Sequence, residues 1–294
     1  MKKGIILLGL LIGFVFSVIG QNISDFEYKA EDGGIIITKY NGTNKEIIIP
    51  GTINGLPVHT IGKEAFARCQ LTEVNIPNSV ARIGPFAFEN NQLTSVVIPN
   101  SVIVIENWAF GVNQLTRLTL PNKVTKIGNC AFAHNRLTSV VIPNSVTVIG
   151  AYAFWANQLT SITIPNSVTK IEEGAYKYNQ LTSVVIPNSV IVIEDWAFEQ
   201  NQLTNITIPN SVTKIGERAF QNNQLASVVI PNSVVVIEIA AFQYNQLANI
   251  TIPNSVTEIG KGAFFGNSFP STIFDAIKTR FGAEVFEEAV FEGI

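Results

Sequence analysis

The sequence predicts a mainly β solenoid, a rod made of stacked and nearly identical coils. Three observations predict it. Prolines fall at Pro77, Pro99, Pro121, Pro143, Pro165, Pro187, Pro209, Pro231 and Pro253, each 22 residues after the last. In the same register an Ala-Phe step recurs at Phe66, Phe88, Phe110, Phe132, Phe154, Phe198, Phe220, Phe242 and Phe264, with Tyr176 as the one substitute. Before each proline, apolar residues stand two apart, which is the side-chain period of a strand. Self-similarity at a period of 20–50 residues marks a stacked-repeat architecture.

Composition fits a chain that buries a large core. Hydrophobic residues make up 47% and charged residues only 14%, against a usual charged share of roughly 25%. The formal net charge is −3, and no run of cations exists to displace phosphate counterions, so nucleic acid is not an expected partner.

Taken in chain order, residues 1–20 read as an export signal. Lys2-Lys3 is followed by an uncharged apolar run from Ile5 to Ile19, with Val18-Ile19-Gly20 before a cleavage point. That run is shorter than the roughly 20 residues that span a bilayer. Cleavage is favoured over an uncleaved anchor, no span is expected in the mature chain, and the expected location is secreted or cell-surface.

Residues 21–45 read as an N-terminal cap, with Phe26 to Tyr40 and its Ile35-Ile36-Ile37 run covering the first coil. Residues 46–267 then form about ten coils. In the coil from Asn91, Val96 and Ile98 point inward and Val97 outward. Pro99 lacks an N–H and ends the strand in a turn at Pro99-Asn100. Val102 and Ile105 re-enter the core, and Ala109-Phe110 pairs a small residue with a large plug. One coil alone leaves these side chains half exposed, so the array folds only as an array. Residues 268–294 read as a C-terminal cap: Ser271-Thr272 and Asp275 start a helix, Ile273, Ile277 and Phe281 recur at helical spacing, and Gly282 closes it. Phe286 and Phe291 are expected to pack there.

One polar position repeats as strictly as the core: Asn91, Asn113, Asn135, Asn157, Asn179, Asn201, Asn223 and Asn245. A carboxamide both donates and accepts, so a buried ladder bonding to neighbouring copies and to turn backbone is expected rather than a row of free loop residues.

The pattern Leu-x-x-Val-x-Ile-Pro-x-x-Val-x-x-Ile-Gly-x-x-Ala-Phe-x-x-Asn, from about Ile47 to Asn267, resembles the leucine-rich repeat of the Treponema pallidum type, also called BspA-like. The resemblance implies a leucine-rich-repeat solenoid, a right-handed superhelix with strands on one surface and short 3₁₀ or irregular turns on the other. It also implies export or surface association, and adhesion to proteins in some members. The chain departs from the family in keeping Cys at the last repeat position only as Cys69, and in its slightly short unit.

A second period of 44 lies inside the first. The outward strand residue alternates Val97, Thr119, Val141, Thr163, Val185, Thr207, Val229, Thr251, and another row alternates Val104, Lys126, Val148, Lys170, Val192, Lys214. Duplication of coil pairs accounts for both. Lysines on alternate coils also avoid repulsion across the strand spacing.

Little in the chain points to chemistry. His59 and His134 occupy different repeat positions, away from any nucleophile or ligand cluster. Cys69 and Cys130 lie nearly three coils apart, beyond the roughly 7 Å that a disulfide allows between Cα atoms, so two free thiols are expected. No catalytic group, cofactor or metal is expected. Four Asn-x-Ser/Thr triplets begin at Asn22, Asn41, Asn205 and Asn249, and the last two are expected to face into tight strands.

The expected role is a non-catalytic protein-binding or adhesion scaffold, and the alternative is a structural spacer or self-assembling surface element. Specificity is sought where coils differ. Phe86, Trp108, Tyr152 and Trp196 stand before the Ala-Phe step, with Trp155 and Tyr178 on the following turn. These rings either form an exposed protein-binding stripe or fold down over the turns. The neutral Val/Thr strand face is the other candidate, for a protein or a second copy.

Overall fold

The computed structural model describes residues 22–289. The predicted export segment and Phe291 lie outside them. Among the described residues the chain is a solenoid of parallel strand files ending in one α-helix.

Each coil contributes two short strand segments. The first is the pre-proline segment, as in Ser161–Thr163, which pairs in parallel with Ser183–Val185. The second follows the proline turn, as in Val104–Ile105 and Lys126–Ile127. The second file is the more continuous. It runs from the N-terminal hairpin through Val148–Ile149, and again from Lys170–Ile171 to Glu258–Ile259. The pre-proline file pairs only in twos. The repeat pattern predicts one strand per coil, with Ile105 only returning to the core. The Ile just before Gly or Glu and the residue preceding it, Val, Lys, Arg or Glu, are themselves a strand, because two residues of extended backbone suffice when the same segment repeats above and below. The turn at the proline is closed by Val102 N–H donating to Pro99 O at 3.0 Å.

Stacking buries like against like. Ile105, Val102, Leu93 and Phe110 are fully buried, and their equivalents along the rod are buried. The aromatic plugs form one column from Phe66 to Phe264, with Tyr176 in its place. Neighbouring ring centroids are 5.1–5.9 Å apart and planes lie within 13° of parallel. That spacing exceeds the strand rise of about 4.8 Å by a few tenths of an ångström to about 1 Å, and near-parallel rings at this separation stack offset, as aromatic quadrupoles prefer.

The asparagines hold this column to the backbone. Asn157 Oδ1 accepts from Leu137 N–H at 3.0 Å, while its Nδ2 donates to Phe132 O at 2.9 Å and Phe154 O at 3.1 Å. The same pattern joins Asn91 to Leu71, Asn113 to Leu93, and onward to Asn267 and Leu247. Each carboxamide therefore bonds main chain in its own coil and the preceding one. Asn91 to Asn245 are all buried, where an unmet amide would be costly.

Both ends are covered. Phe26–Glu31 and Gly34–Tyr40 form an antiparallel hairpin, and the second strand continues in parallel into Leu56–Ile61. Its turn is Asp32-Gly33, both with positive φ, the mirror-image turn that matches strand twist. Phe26 and Tyr40 pack on Phe66 and close the column. At the far end the helix spans Ser271–Phe281 and stops at Gly282, φ 91°. It buries Ile277, with Ile273 and Phe281 partly covered. Next, Phe264 N–H donates to Val285 O at 3.0 Å and Gly262 N–H to Glu284 O at 2.8 Å. Residues 284–285 thus continue the coil's bonding after the last true repeat, and Phe286 packs on Phe264 and Phe269.

Candidate protein-binding surfaces

The turn surface is built on an unusual backbone. Each coil carries two residues of left-handed φ, one before the Ala-Phe step and one before the Asn: Trp108 and Val112, Cys130 and His134, Tyr152 and Ala156, Trp196 and Gln200, Arg218 and Asn222. Left-handed backbone costs a side-chain-bearing residue about 1–2 kcal/mol. Inter-coil bonding offsets it. Trp108, Phe110 and Val112, every second residue, donate N–H groups along the axis to Asn129 O, Ala131 O and Ala133 O at 2.8–2.9 Å. Side chains at the left-handed positions are thereby free to vary while the backbone is not.

The six aromatic candidates fall into two groups rather than one stripe. Phe86 and Trp108 stack at 6.4 Å with planes 7° apart. Cys130 follows in the same row and is buried, its thiol pushed up to about 11 by desolvation. Beyond it Tyr152 reaches Trp155 at 5.6 Å and Trp196 at 6.5 Å. Tyr152 and Trp196 are two coils apart, and Gly174 stands between them; a Cβ there would run into the Tyr152 ring. Five of the six rings, Phe86, Trp108, Tyr152, Trp155 and Trp196, are half-buried, and Tyr178 is 43% exposed.

Polar groups that the repeat pattern does not single out complete the second group. Lys177 Nζ lies 5.1 Å from the Trp196 ring and 5.3 Å from the Tyr178 ring, and pairs with the buried Glu199 carboxylate at 2.6 Å. Tyr152 Oη donates to Glu173 Oε1 at 2.6 Å, and burial followed by that bond pushes its phenol above the ordinary range. The His134 and Trp155 rings pack edge to face with centroids 4.2 Å apart, and burial lowers the His134 pKa. The indole N–H groups of Trp155 and Trp196 are buried without a hydrogen-bond partner among the described residues. The signal available in the sequence was the row after each Ala-Phe, where Trp155, Lys177 and Glu199 follow one another.

The strand face differs in kind. Val97, Val141, Val185 and Val229 are 59–81% exposed, in register with the exposed threonines between them. Asn205 and Asn249 share this face and point outward, which corrects the expectation that they face inward: one residue before an inward Ile, the strand period puts them on solvent.

On the post-proline file the lysines alternate for a further reason besides repulsion. Glu106 accepts from both Arg82 at 2.6 Å and Lys126 at 3.2 Å, Lys170 pairs with Glu194 at 2.8 Å, and Lys214 with Glu238 at 3.0 Å. The glutamates hydrogen-bonded to Lys170 and Lys214 raise the pKa of both ammonium groups. Cys69 and Cys130 are both free. Among the described residues no group of His, Cys, Asp or Glu is arranged to hold a metal, and no helix is long and apolar enough to cross a membrane.

Parallel coils, an aromatic column and an Asn file define a leucine-rich-repeat scaffold. The BspA type leucine rich repeat region matches residues 59–182 and 169–290, and the chain belongs to that family. Among solved structures, a leucine-rich repeat protein from Bacteroides ovatus is 27% identical, with a TM-score of 0.73, covering 85% of this chain and 71% of that one. A leucine rich cell surface protein from Faecalibacterium prausnitzii is 25% identical, with a TM-score of 0.50, covering 85% of this chain and 75% of that one. No curated protein matches the sequence.

Proposed function

We propose that the chain is an exported protein-binding scaffold that acts at a bacterial cell surface, with recognition centred on the turn-side group of Tyr152, Trp155, Lys177, Tyr178 and Trp196. One observation carries the reading: Tyr178 is exposed beside rings and an ion pair that are packed in place. A rigid aromatic with a cation held over its ring loses little entropy on binding, and such residues dominate protein interfaces. The irregularity of this region, on a rod that otherwise repeats itself, supports a dedicated ligand. The cell-surface relative and the apolar run at residues 5–19 support export to the cell surface. The near identity of the strand segments favours the second reading, a structural spacer or self-assembling element.

A panel of purified extracellular proteins is the direct test. For a ligand found there, Tyr178→Ala is expected to weaken binding at least tenfold, the size of an interface hot spot, roughly 1.4–2 kcal/mol. Replacing Trp108 and Trp196 by Ala in a pull-down separates the two aromatic groups. Undiminished binding by Tyr178→Ala and Trp196→Ala would overturn the assignment of the site.

A further inference from the structure

We infer that the Val/Thr strand face is a reversible homodimer interface, in which a second copy of this chain lies antiparallel across it with the two-fold axis at Thr163. The inference rests on the strand face alone and stands or falls apart from the turn-side ligand site.

The face is more apolar than burial requires. Val97, Val141, Val185 and Val229 contribute nothing to the core at 59–81% exposure, yet they recur at one position on alternate coils. Isolated exposed apolar residues need no explanation, whereas a straight file of them marks an interaction surface. Parallel pairing fixes their spacing, since Ser161–Thr163 sits in register on Ser183–Val185 and Ser227–Val229 on Asn249–Thr251. Valines two coils apart are therefore about 9.6 Å apart, twice the strand spacing.

A partner for this face must present apolar groups at the same interval over four repeats. A second copy does so necessarily. Rotation about an axis through Thr163 brings Val97 opposite Val229, Val141 opposite Val185, and Thr119 opposite Thr207. Apolar side chains then meet apolar ones, and hydroxyls meet hydroxyls that can bond to them. The charge pattern tolerates the same rotation. Between residues 73 and 251, Glu73 and Arg117 are the charges on the two outward strand positions, and they fall opposite the neutral Asn249 and Asn205. An isologous contact of this kind closes on itself and makes a dimer rather than a filament.

Area sets the strength. In this register the nine coils between residues 73 and 251 overlap; at about 4.8 Å each, in a strip roughly 10 Å wide, they give about 430 Å² per copy. That is about half of what each partner contributes to a stable interface. The dimer is therefore a reversible one that forms as concentration rises.

Sedimentation velocity of the chain from roughly 1 µM to 1 mM tests this. The sedimentation coefficient is expected to climb from the monomer value toward that of a dimer. Val141→Asp alone and Val185→Lys alone are each expected to abolish the climb. The two together should restore it, because in the Thr163-centred register the introduced carboxylate of one copy meets the introduced ammonium of the other. Thr163→Cys should yield a covalent dimer with a short bismaleimide linker, since facing sheets pack about 10 Å apart, beyond the roughly 7 Å that a disulfide allows. All of these changes are on solvent-facing positions, and an unchanged circular dichroism spectrum verifies the fold. A chain that stays monomeric over the whole range, or a climb that survives both single charge substitutions, overturns the proposal. Association lost in the single variants but not restored in the double, with no Thr163→Cys crosslink, overturns the register.

Discussion

Replacement of one ladder asparagine tests how the coils are fastened. In Asn157→Ala, the amide N–H of the buried Leu137 loses its acceptor at 3.0 Å. The two Phe carbonyls fare better, because Phe132 O keeps Asn135 and Phe154 O keeps Asn179 as donors. An orphaned buried donor costs about 1–3 kcal/mol, and the lost donors about 1 kcal/mol more, so the expected loss is roughly 2–4 kcal/mol. Asn157→Asp sharpens the test. Its second oxygen replaces an NH₂ that lies 2.9 and 3.1 Å from two carbonyl oxygens. Only the protonated carboxyl fits there, so the folded state raises its pKa above the unfolded value of about 3.9. The folded state then binds more protons than the unfolded state. Stability therefore falls as pH rises from about 4 toward the folded pKa, by about 1.4 kcal/mol for each pH unit between the two pKa values. Urea unfolding of both variants at pH 4 and pH 7, each compared with the parent chain at the same pH, reads both effects. An Ala variant within about 0.5 kcal/mol of the parent would refute the ladder. So would an Asp variant whose difference from the parent is the same at both pH values.

Further predictions follow from the turn surface and the thiols. Gly174→Ala places a methyl on a left-handed residue against the Tyr152 ring, and should destabilise by roughly 1–3 kcal/mol in thermal or urea unfolding. Ala240→Gly, at φ 54° in a buried site, should instead stabilise by about 1 kcal/mol, since glycine adopts that backbone without a Cβ clash. Lys177→Met strands the buried Glu199 carboxylate and should cost about 3–5 kcal/mol, whereas Lys177→Met with Glu199→Gln should cost distinctly less by the same unfolding assay. Burial raises the pKa of both Cys69 and Cys130, the latter to about 11. Both thiols should therefore react slowly with a disulfide reagent at pH 7.5 and quickly once the chain is unfolded; prompt labelling of Cys130 in the folded chain would contradict its placement.

The fold was legible because the sequence states its own period. Fixed spacing of Pro, Ala-Phe and Asn leaves the coil little choice but to stack on its copies, and Phe110 on Phe132 on Phe154 is the direct result. The two left-handed positions were not legible. Glycine is their ordinary signature, and only Gly174, Gly262 and Gly266 show it at these repeat positions. At Trp108 or Tyr152 the inter-coil N–H bonds, rather than residue preference, set the backbone. The second strand file was hidden for a related reason, since segments such as Val104–Ile105 are too short to signal a strand until neighbours on both sides are known. The turn-side group was half legible. Its rings could be named, but the gap at Gly174 that joins Tyr152 to Trp196 across two coils depends on stacking, as does the Lys177–Glu199 pair.

Stacking in register makes every coil pair interchangeable, and a deletion probes this most directly. Removing residues 157–200, which joins Ala156 to Asn201, takes out two whole coils. The shortened chain is expected to fold cooperatively, with its longest dimension in small-angle X-ray scattering reduced by about 10 Å, two strand spacings. A deletion of half a coil should unfold it. If the two-coil deletion fails to fold, or folds with its length unchanged, the coils are not stacked as described.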